Sequence, residues 1–426
     1  MPPKDNKRPA NLLIIAYYFP PVKVVGAVRL FHFYQESRKH FGQVQALSST
    51  NRLRMAQDDS LRLEGASVTE VPAYDLRRAT LAHAAENQPH LSHRAKSRPA
   101  ARFLGRLLDS FPFNLLIGDG GLIYILLAYR QGKRLVREHH ITHLFSSYRP
   151  WSDHLVAWLL KRRFPHLFWI ADFRDLHVDP VRKNVLWPAF QRWCNRRILR
   201  RASLATTVSE GLKRHLEQLA PNVYVLRNGI GERMGEKEEK LFEQFTIAYT
   251  GSLYEGLQTA GPLFQALQQL LEEGKLEEEG IRLLYAGKDG ALWEQWLRQY
   301  GLNGIGQNRG LLSMEEAKTI QLRAHANLLL SWSLPGGGGI LTSKVYEYLA
   351  AGRPILAIVN GDGDEELEEL LSGHLLFSTS QQDAVPALKT FILGVSGAPP
   401  KAPPPLPEGL EWGKNMEELV KTVFKN

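Results

Sequence analysis

Short apolar runs alternate with amphipathic stretches along most of the chain. The first, Asn11 to Tyr17, reads Asn-Leu-Leu-Ile-Ile-Ala-Tyr and stops at the turn Phe19-Pro20-Pro21, which is the pattern of a strand buried on both faces. A helix is expected to follow from about Gly26. Similar runs recur at 44–48, 68–71, 141–146, 167–171, 204–208 and 223–226, with helical spacing between them. A charged, Gly-containing stretch at 229–244 reads as a linker, and a second series follows it at 245–249, 281–286, 327–331 and 355–359, with a helix such as 261–272 in between. Strand and helix alternating at this spacing build a parallel sheet covered on both faces. Two such series predict an α/β protein of two Rossmann-like, doubly wound domains, 1–230 and 231–395. Ligands of open α/β sheets bind beyond the strand carboxyl ends, so facing domains would share an interdomain cleft. The Pro-rich stretch 398–407 and the pattern at 410–424 make 396–426 a spacer and a closing helix. Residues 76–100 are rich in Arg, His, Ala and Ser with little periodicity and read as a loop.

Composition narrows the class. A chain of 426 residues, 44% hydrophobic and 23% charged, can fill two cores and is not the composition of a disordered chain. The single cysteine, Cys194, excludes an internal disulfide and a cysteine-cluster metal site, and it favours a reducing compartment. The N-terminus is polar before a short apolar run, so no signal peptide is expected. No run approaches about 18 uninterrupted apolar residues, so no membrane-spanning helix is expected either. Charge divides unevenly: residues 1–230 hold 36 Lys and Arg against 17 Asp and Glu, and the remainder holds 17 against 27. A basic half of this kind attracts nucleic acid, anionic lipid or an anionic acceptor. Zinc-finger spacing and RNP-like aromatic motifs are lacking, which ranks an anionic membrane or lipid-phosphate acceptor above nucleic acid. A solvated basic face is the other reading.

The densest chemistry lies at 336–355. Four glycines, Gly336 to Gly339, precede Ile-Leu-Thr-Ser-Lys-Val-Tyr-Glu-Tyr-Leu-Ala-Ala-Gly-Arg-Pro-Ile. The order sets a loop without side chains before a helix that Thr342 or Ser343 could cap, with Glu347 just past the first turn. Amides at a helix start attract an anion, and a carboxylate one turn along can accept hydrogen bonds from a sugar diol. Together they suggest a nucleotide-sugar site.

This segment resembles the donor-binding helix of the retaining, group 1 glycosyltransferases of family 4, which have the GT-B architecture. The matching run is Lys344-x-x-Glu347-Tyr348-Leu349-Ala350. Other stretches agree in the same order: Phe19-Pro20-Pro21 with the small-residue loop at Gly26; the His-bearing helix start of 146–158; Asp172-Phe173-Arg174-Asp175; Val208-Ser209-Glu210; Asn228-Gly229-Ile230; and Tyr249-Thr250-Gly251-Ser252. Two departures stand out. The family carries a second Glu eight residues before the first, where this chain has Gly339, and it carries an Arg or Lys after the Gly-Ser loop, where this chain has Glu255-Gly256-Leu257-Gln258.

The resemblance implies a metal-independent transferase that moves a sugar from a UDP- or GDP-linked donor to a glycan or polyprenyl-linked acceptor in cell-surface polysaccharide biosynthesis. No cofactor besides the donor and no nucleic acid are expected. It implies that Glu347 binds the donor ribose, while Gly26, Gly251, Ser252, Gly338, Gly339, Thr342, Ser343 and Lys344 surround the diphosphate. Arg309 or Arg29 would stand in for the missing cation. His154, Asp172 and Lys344 fall at catalytic positions, and Arg149, Arg174 and Asp175 on the acceptor side. The closing helix would pack back toward the N-terminal domain. The apolar, basic-edged segment 102–130 suits either the cytoplasmic face of an anionic membrane or a buried helix pair. Asp362-Gly363-Asp364 has the form of a metal motif, but within the acidic run 362–369 it reads as a solvated loop. A catalytically silent GT-B binding protein in a polysaccharide-assembly complex is the alternative function, motivated by the two departures. An epimerase of the same architecture is a third.

Overall fold

The computed structural model describes residues 10–50, 55–73, 99–117, 120–230, 239–333, 338–339, 341–381, 383–397, 406–407 and 409–425. Most of the loop at 76–100, half of the linker, Gly336, Gly337 and most of the Pro-rich spacer lie outside them. The chain forms two compact units: the described residues up to Arg227 together with those from Trp412 onward, and Asn228–Glu411.

The first unit is built on β1 (Asn11–Ile15), β2 (Gln43–Ser49), β3 (Ser67–Val71), β4 (His143–Tyr148), β5 (Phe168–Phe173), β6 (Leu204–Thr207) and β7 (Val223–Val225). All pair in parallel, in the order β3-β2-β1-β4-β5-β6-β7. Its helices are α1 (Val25–His40), α2 (Pro99–Leu108), α3 (Phe113–Leu116), α4 (Gly121–Glu138), α5 (Trp151–Arg163), α6 (Pro188–Leu199) and α7 (Glu210–Leu216). The Val-Ser-Glu sequence starts α7 by a side-chain cap, Ser209 Oγ accepting from the Leu212 amide at 3.2 Å.

The second unit has β8 (Phe245–Thr250), β9 (Ile281–Ala286), β10 (Gly306–Asn308), β11 (Ala326–Trp332), β12 (Ile355–Asn360) and β13 (Leu375–Ser378), parallel in the order β10-β9-β8-β11-β12-β13. The helices are α8 (Gly261–Glu272), α9 (Gly290–Gln299), α10 (Met314–Arg323), α11 (Ser343–Ala351), α12 (Glu365–Leu370) and α13 (Ala384–Gly397). Strand order reverses between β1 and β4 in one sheet and between β8 and β11 in the other. The carboxyl ends of those strands are where such sheets bind ligands.

Helix α14 (Trp412–Lys425) closes the chain. Its Met416, Leu419 and Val423 share an apolar cluster with Leu12, Ile14 and Phe33, so burial ties this helix to the N-terminal unit. Central strands such as β4, β8 and β11 are buried at every position, which is why they read as continuous apolar runs. Among the described residues no helix is long and apolar enough to cross a membrane.

Candidate functional site

At the carboxyl end of β8 the chain turns at Gly251, whose φ of +114° disfavours any residue with a Cβ. A side chain is excluded by space as well, because a Cβ there would lie 2.5 Å from Lys344 Cε. Lys344 extends from the first turn of α11 over this glycine. Its ammonium donates to Tyr249 Oη and, at 3.2 Å, to the Ser252 carbonyl, and it lies 4.2 Å from the Tyr249 ring centre. The Tyr249 hydroxyl in turn donates to the Ser252 carbonyl at 2.7 Å. Burial pushes that phenol well above its ordinary pKa, so it stays protonated. Every described partner of Lys344 is therefore a neutral oxygen or a ring face.

The helix start beside it is uncapped. Thr342 holds the N-cap position but its side chain accepts no cap hydrogen bond, contrary to the expectation that Thr342 or Ser343 would cap. Uncapped first-turn amides together with a cation lacking a carboxylate partner make an anion-receptive corner. Glu347, half-buried one turn along, accepts from Gln321 Nε2 at 3.4 Å, and the same amide nitrogen donates to Thr250 Oγ1 at 2.8 Å. Tyr348 Oη accepts from the Thr250 amide at 3.0 Å, which fixes α11 to the end of β8.

The loop after β9 braces the same corner. Asp289 Oδ2 accepts from the Leu253 amide at 3.0 Å, and Tyr285 Oη donates to the Gly251 carbonyl at 3.1 Å. Gly338, with φ +77°, and Gly339 follow β11 on the far side of the strand-order reversal. Arg309 does not join them. It is exposed beyond edge strand β10, and β9 and β8 separate it from β11.

In the first unit, several expected site residues serve the packing. Asp172, completely buried, holds Arg29 by two hydrogen bonds, Arg29 Nη2 to Oδ1 at 2.7 Å and Nε to Oδ2 at 3.2 Å. Its oxygens also accept from Ser147 Oγ and Thr206 Oγ1, both at 2.9 Å. Burial alone would raise this carboxyl, but Arg29, then Arg174 and Thr206, bring it below the usual range. The catalytic expectation for Asp172 is thereby corrected: it is a saturated brace between strands, and it withdraws Arg29 from phosphate binding. His154 is corrected likewise. It is fully buried among Trp151, Tyr148 and Phe173, with Nδ1 2.7 Å from Ser146 Oγ, and burial takes its pKa down to about 3, so the free protein carries it neutral.

Gly26 is occupied from another direction. A Cβ on it would lie 1.7 Å from Arg174 Nη1, so the arginine fork fills the space expected to face a diphosphate. Arg174 Nε donates to the Tyr148 carbonyl at 3.2 Å. Arg149 reaches Tyr148 Oη at 3.3 Å and Asp109 at 4.0 Å, while Asp175 pairs with Arg182 at 3.7 Å.

No protein-family model and no curated protein matches the chain. Solved structures do. WaaG, a glycosyltransferase involved in lipopolysaccharide biosynthesis, superposes with a TM-score of 0.53 at 10% identity over 96% of this chain and 95% of its own. The E. coli trehalose-6-phosphate structure bound with UDP-2-fluoro glucose gives 0.53 at 12%, over 98% and 96%. The fold is GT-B. UDP-GlcNAc 2-epimerase from Methanocaldococcus jannaschii matches too, at 0.51 and 10% over 98% and 100%, so the fold alone does not choose the reaction.

Proposed function

We propose that this chain is a retaining glycosyltransferase whose C-terminal unit binds a nucleoside-diphosphate sugar. The observation that carries the reading is Lys344: a cation with neutral partners, lying over Gly251 at an uncapped helix start, with Glu347 one turn along. The fold's occurrence in glycosyltransferases, one of them bound with a UDP-sugar analogue, supports it. In the transfer, the bond from the anomeric carbon to the donor phosphate breaks and a bond to the acceptor oxygen forms on the same face. The acceptor proton passes to the departing phosphate, whose charge Lys344 and the helix amides stabilise. Positioning and charge suffice, with no covalent nucleophile and no metal.

Titration with UDP, GDP and their sugars tests this. Wild-type protein is expected to bind one nucleotide series and to hydrolyse its sugar slowly. Binding without turnover supports a silent binding protein instead, and an altered sugar isomer supports epimerisation. Glu347→Gln is expected to weaken nucleotide affinity about tenfold, the loss of a charge-assisted hydrogen bond. A 2′,3′-dideoxy nucleotide should lose as much on wild type and little more on the variant. Equal affinity of Glu347→Ala for every nucleotide sugar would remove the ribose role.

The acceptor in this reading is a glycan or polyprenyl-linked sugar of cell-surface polysaccharide assembly, met at the cytoplasmic face of an anionic membrane. Its support is one surface of the N-terminal unit. Phe103 and Leu104 of α2, Leu122, Ile123 and Leu126 of α4, and Trp187, Phe190 and Trp193 at α6 are all exposed. Arg106 Nη2 donates to the Val185 carbonyl at 3.0 Å and Ser110 Oγ accepts from Leu186, which joins the α2 and α6 parts. Exposed Arg192, Arg196 and Arg197 flank Trp193. Apolar rings rimmed by guanidinium groups suit a lipid interface. Wild-type protein is expected to sediment with phosphatidylglycerol vesicles at low salt, and Phe190→Ser/Trp193→Ser to lose most of that binding. Absence of wild-type binding would remove the membrane.

A further inference from the structure

The acidic loop after β12 is not solvated where it matters. Asp364 is 2% exposed, and it follows Gly361 and Gly363, whose φ values of +119° and +108° fold the chain back over the sheet end. Its Oδ1 caps α12 by accepting from the Leu367 amide at 3.2 Å. Its Oδ2 is buried without a hydrogen-bond partner among the described residues. An unpaired buried carboxylate oxygen is unfavourable, and such groups persist where something outside the chain completes them.

The direction of that oxygen is informative. A Cβ built on Gly339 would lie 2.2 Å from Asp364 Oδ2 and 3.3 Å from its Cγ. Gly339 stands eight residues before Glu347, where the resembled family carries its second Glu. The two loops are also held together: Ser333, bridged to Gly339, donates from Oγ to the Gly363 carbonyl at 2.8 Å. A carboxylate thus occupies the volume of the absent side chain, delivered from a different loop.

We infer that Asp364 is the donor-sugar carboxylate of this protein, its Oδ2 accepting a hydroxyl of the sugar beside the glycine loop. This rests on the nucleotide-sugar reading of the C-terminal unit. It separates two tasks: Lys344 and Glu347 grip the nucleotide, and Asp364 recognises what the nucleotide carries. Capping of α12 fixes the carboxylate while leaving one oxygen for the ligand.

Asp364→Asn separates this role from capping, since asparagine keeps a capping oxygen without the charge. Affinities are compared by calorimetry for UDP and GDP against UDP-glucose, UDP-N-acetylglucosamine and GDP-mannose. Wild type is expected to bind one sugar nucleotide more tightly than its bare nucleotide. Asp364→Asn should keep the bare-nucleotide affinity, lose the sugar increment and hydrolyse the sugar nucleotide about tenfold or more slowly. The increment should also fade in wild type as pH drops through about 6, where burial, Glu366 and Glu368 place this carboxyl against the opposing Leu367 amide, and be flat in the variant. In the exchange variant Asp364→Gly/Gly339→Glu the carboxylate returns to the same volume and the increment with it. A folded Asp364→Asn protein that keeps the increment, one that loses bare-nucleotide affinity equally, or an exchange variant that binds nucleotide without regaining the increment overturns the inference. Wild type that binds no nucleotide at all overturns the donor site beneath it.

Discussion

Asp172→Ala is expected to lower the unfolding free energy by about 3–5 kcal/mol, the usual penalty for removing one partner of a buried ion pair. The variant leaves Arg29 in the sheet with only the Leu226 carbonyl, 3.0 Å from Nη2, among its described polar contacts there, and it strands the hydroxyls of Ser147 and Thr206. Since β4, β5, β6 and α1 all send a group to this one carboxylate, the loss spreads through the N-terminal unit. Urea denaturation reads the effect directly. Asp172→Asn should fall between the two, keeping acceptor capacity on one atom and losing charge. The pH dependence has a definite sign. Asp172 is held below the ordinary carboxylate range, so its contribution is present above the unfolded pKa of about 4. It fades as pH falls through the lower folded value. Wild type and Asp172→Asn should therefore converge in stability in strong acid. A stable Asp172→Ala that is merely inactive would instead return this residue to the catalytic list.

That outcome also measures how far the sequence could be read. The parallel strands were legible because both faces are covered, so that the runs at β4, β8 and β11 carry their own signal, and every expected strand coincides with an observed one to within two residues at either end. β10, Gly-Gln-Asn on a sheet edge, and β13, four residues long, were not, because a short edge strand has no apolar pattern to display. The donor corner was legible for a related reason: Lys344 and Glu347 lie one turn apart on one helix, so local spacing fixes their relation. What local spacing cannot give is partnership across the fold. Asp172 and His154 look available at strand and helix ends until Arg29, Ser146, Ser147 and Thr206 arrive from elsewhere in the chain. Gly26 looks open until Arg174 fills it. Asp364 looks like one of several solvated acids until the β12 loop places it against Gly339, 25 residues away in sequence.

Lys344→Ala is expected to weaken binding of the preferred nucleoside diphosphate by about 10- to 150-fold, corresponding to the roughly 1.5–3 kcal/mol of a hydrogen bond made by a charged group. The loss should be similar for the bare nucleotide and its sugar, since the diphosphate is common to both. Arginine should not rescue, because the slot over Gly251 is shaped to a linear stem and a single ammonium, and a planar fork has no room beside Tyr249 and Ser252. Titration gives an independent signature. Burial lowers the Lys344 ammonium to about 8, with Glu347 and Asp289 acting in the opposite direction. The cation that receives the diphosphate is therefore full below that pH and disappears above it. From pH 7 upward the dissociation constant of wild type should stay level to about 8 and then rise by up to tenfold per pH unit, until it reaches the raised pKa of the complex. Lys344→Ala should be weak and level across the same range. A wild-type profile that stays flat to pH 9.5 would show that the ammonium does not meet the diphosphate, and the anion would then have to be held by the helix amides alone.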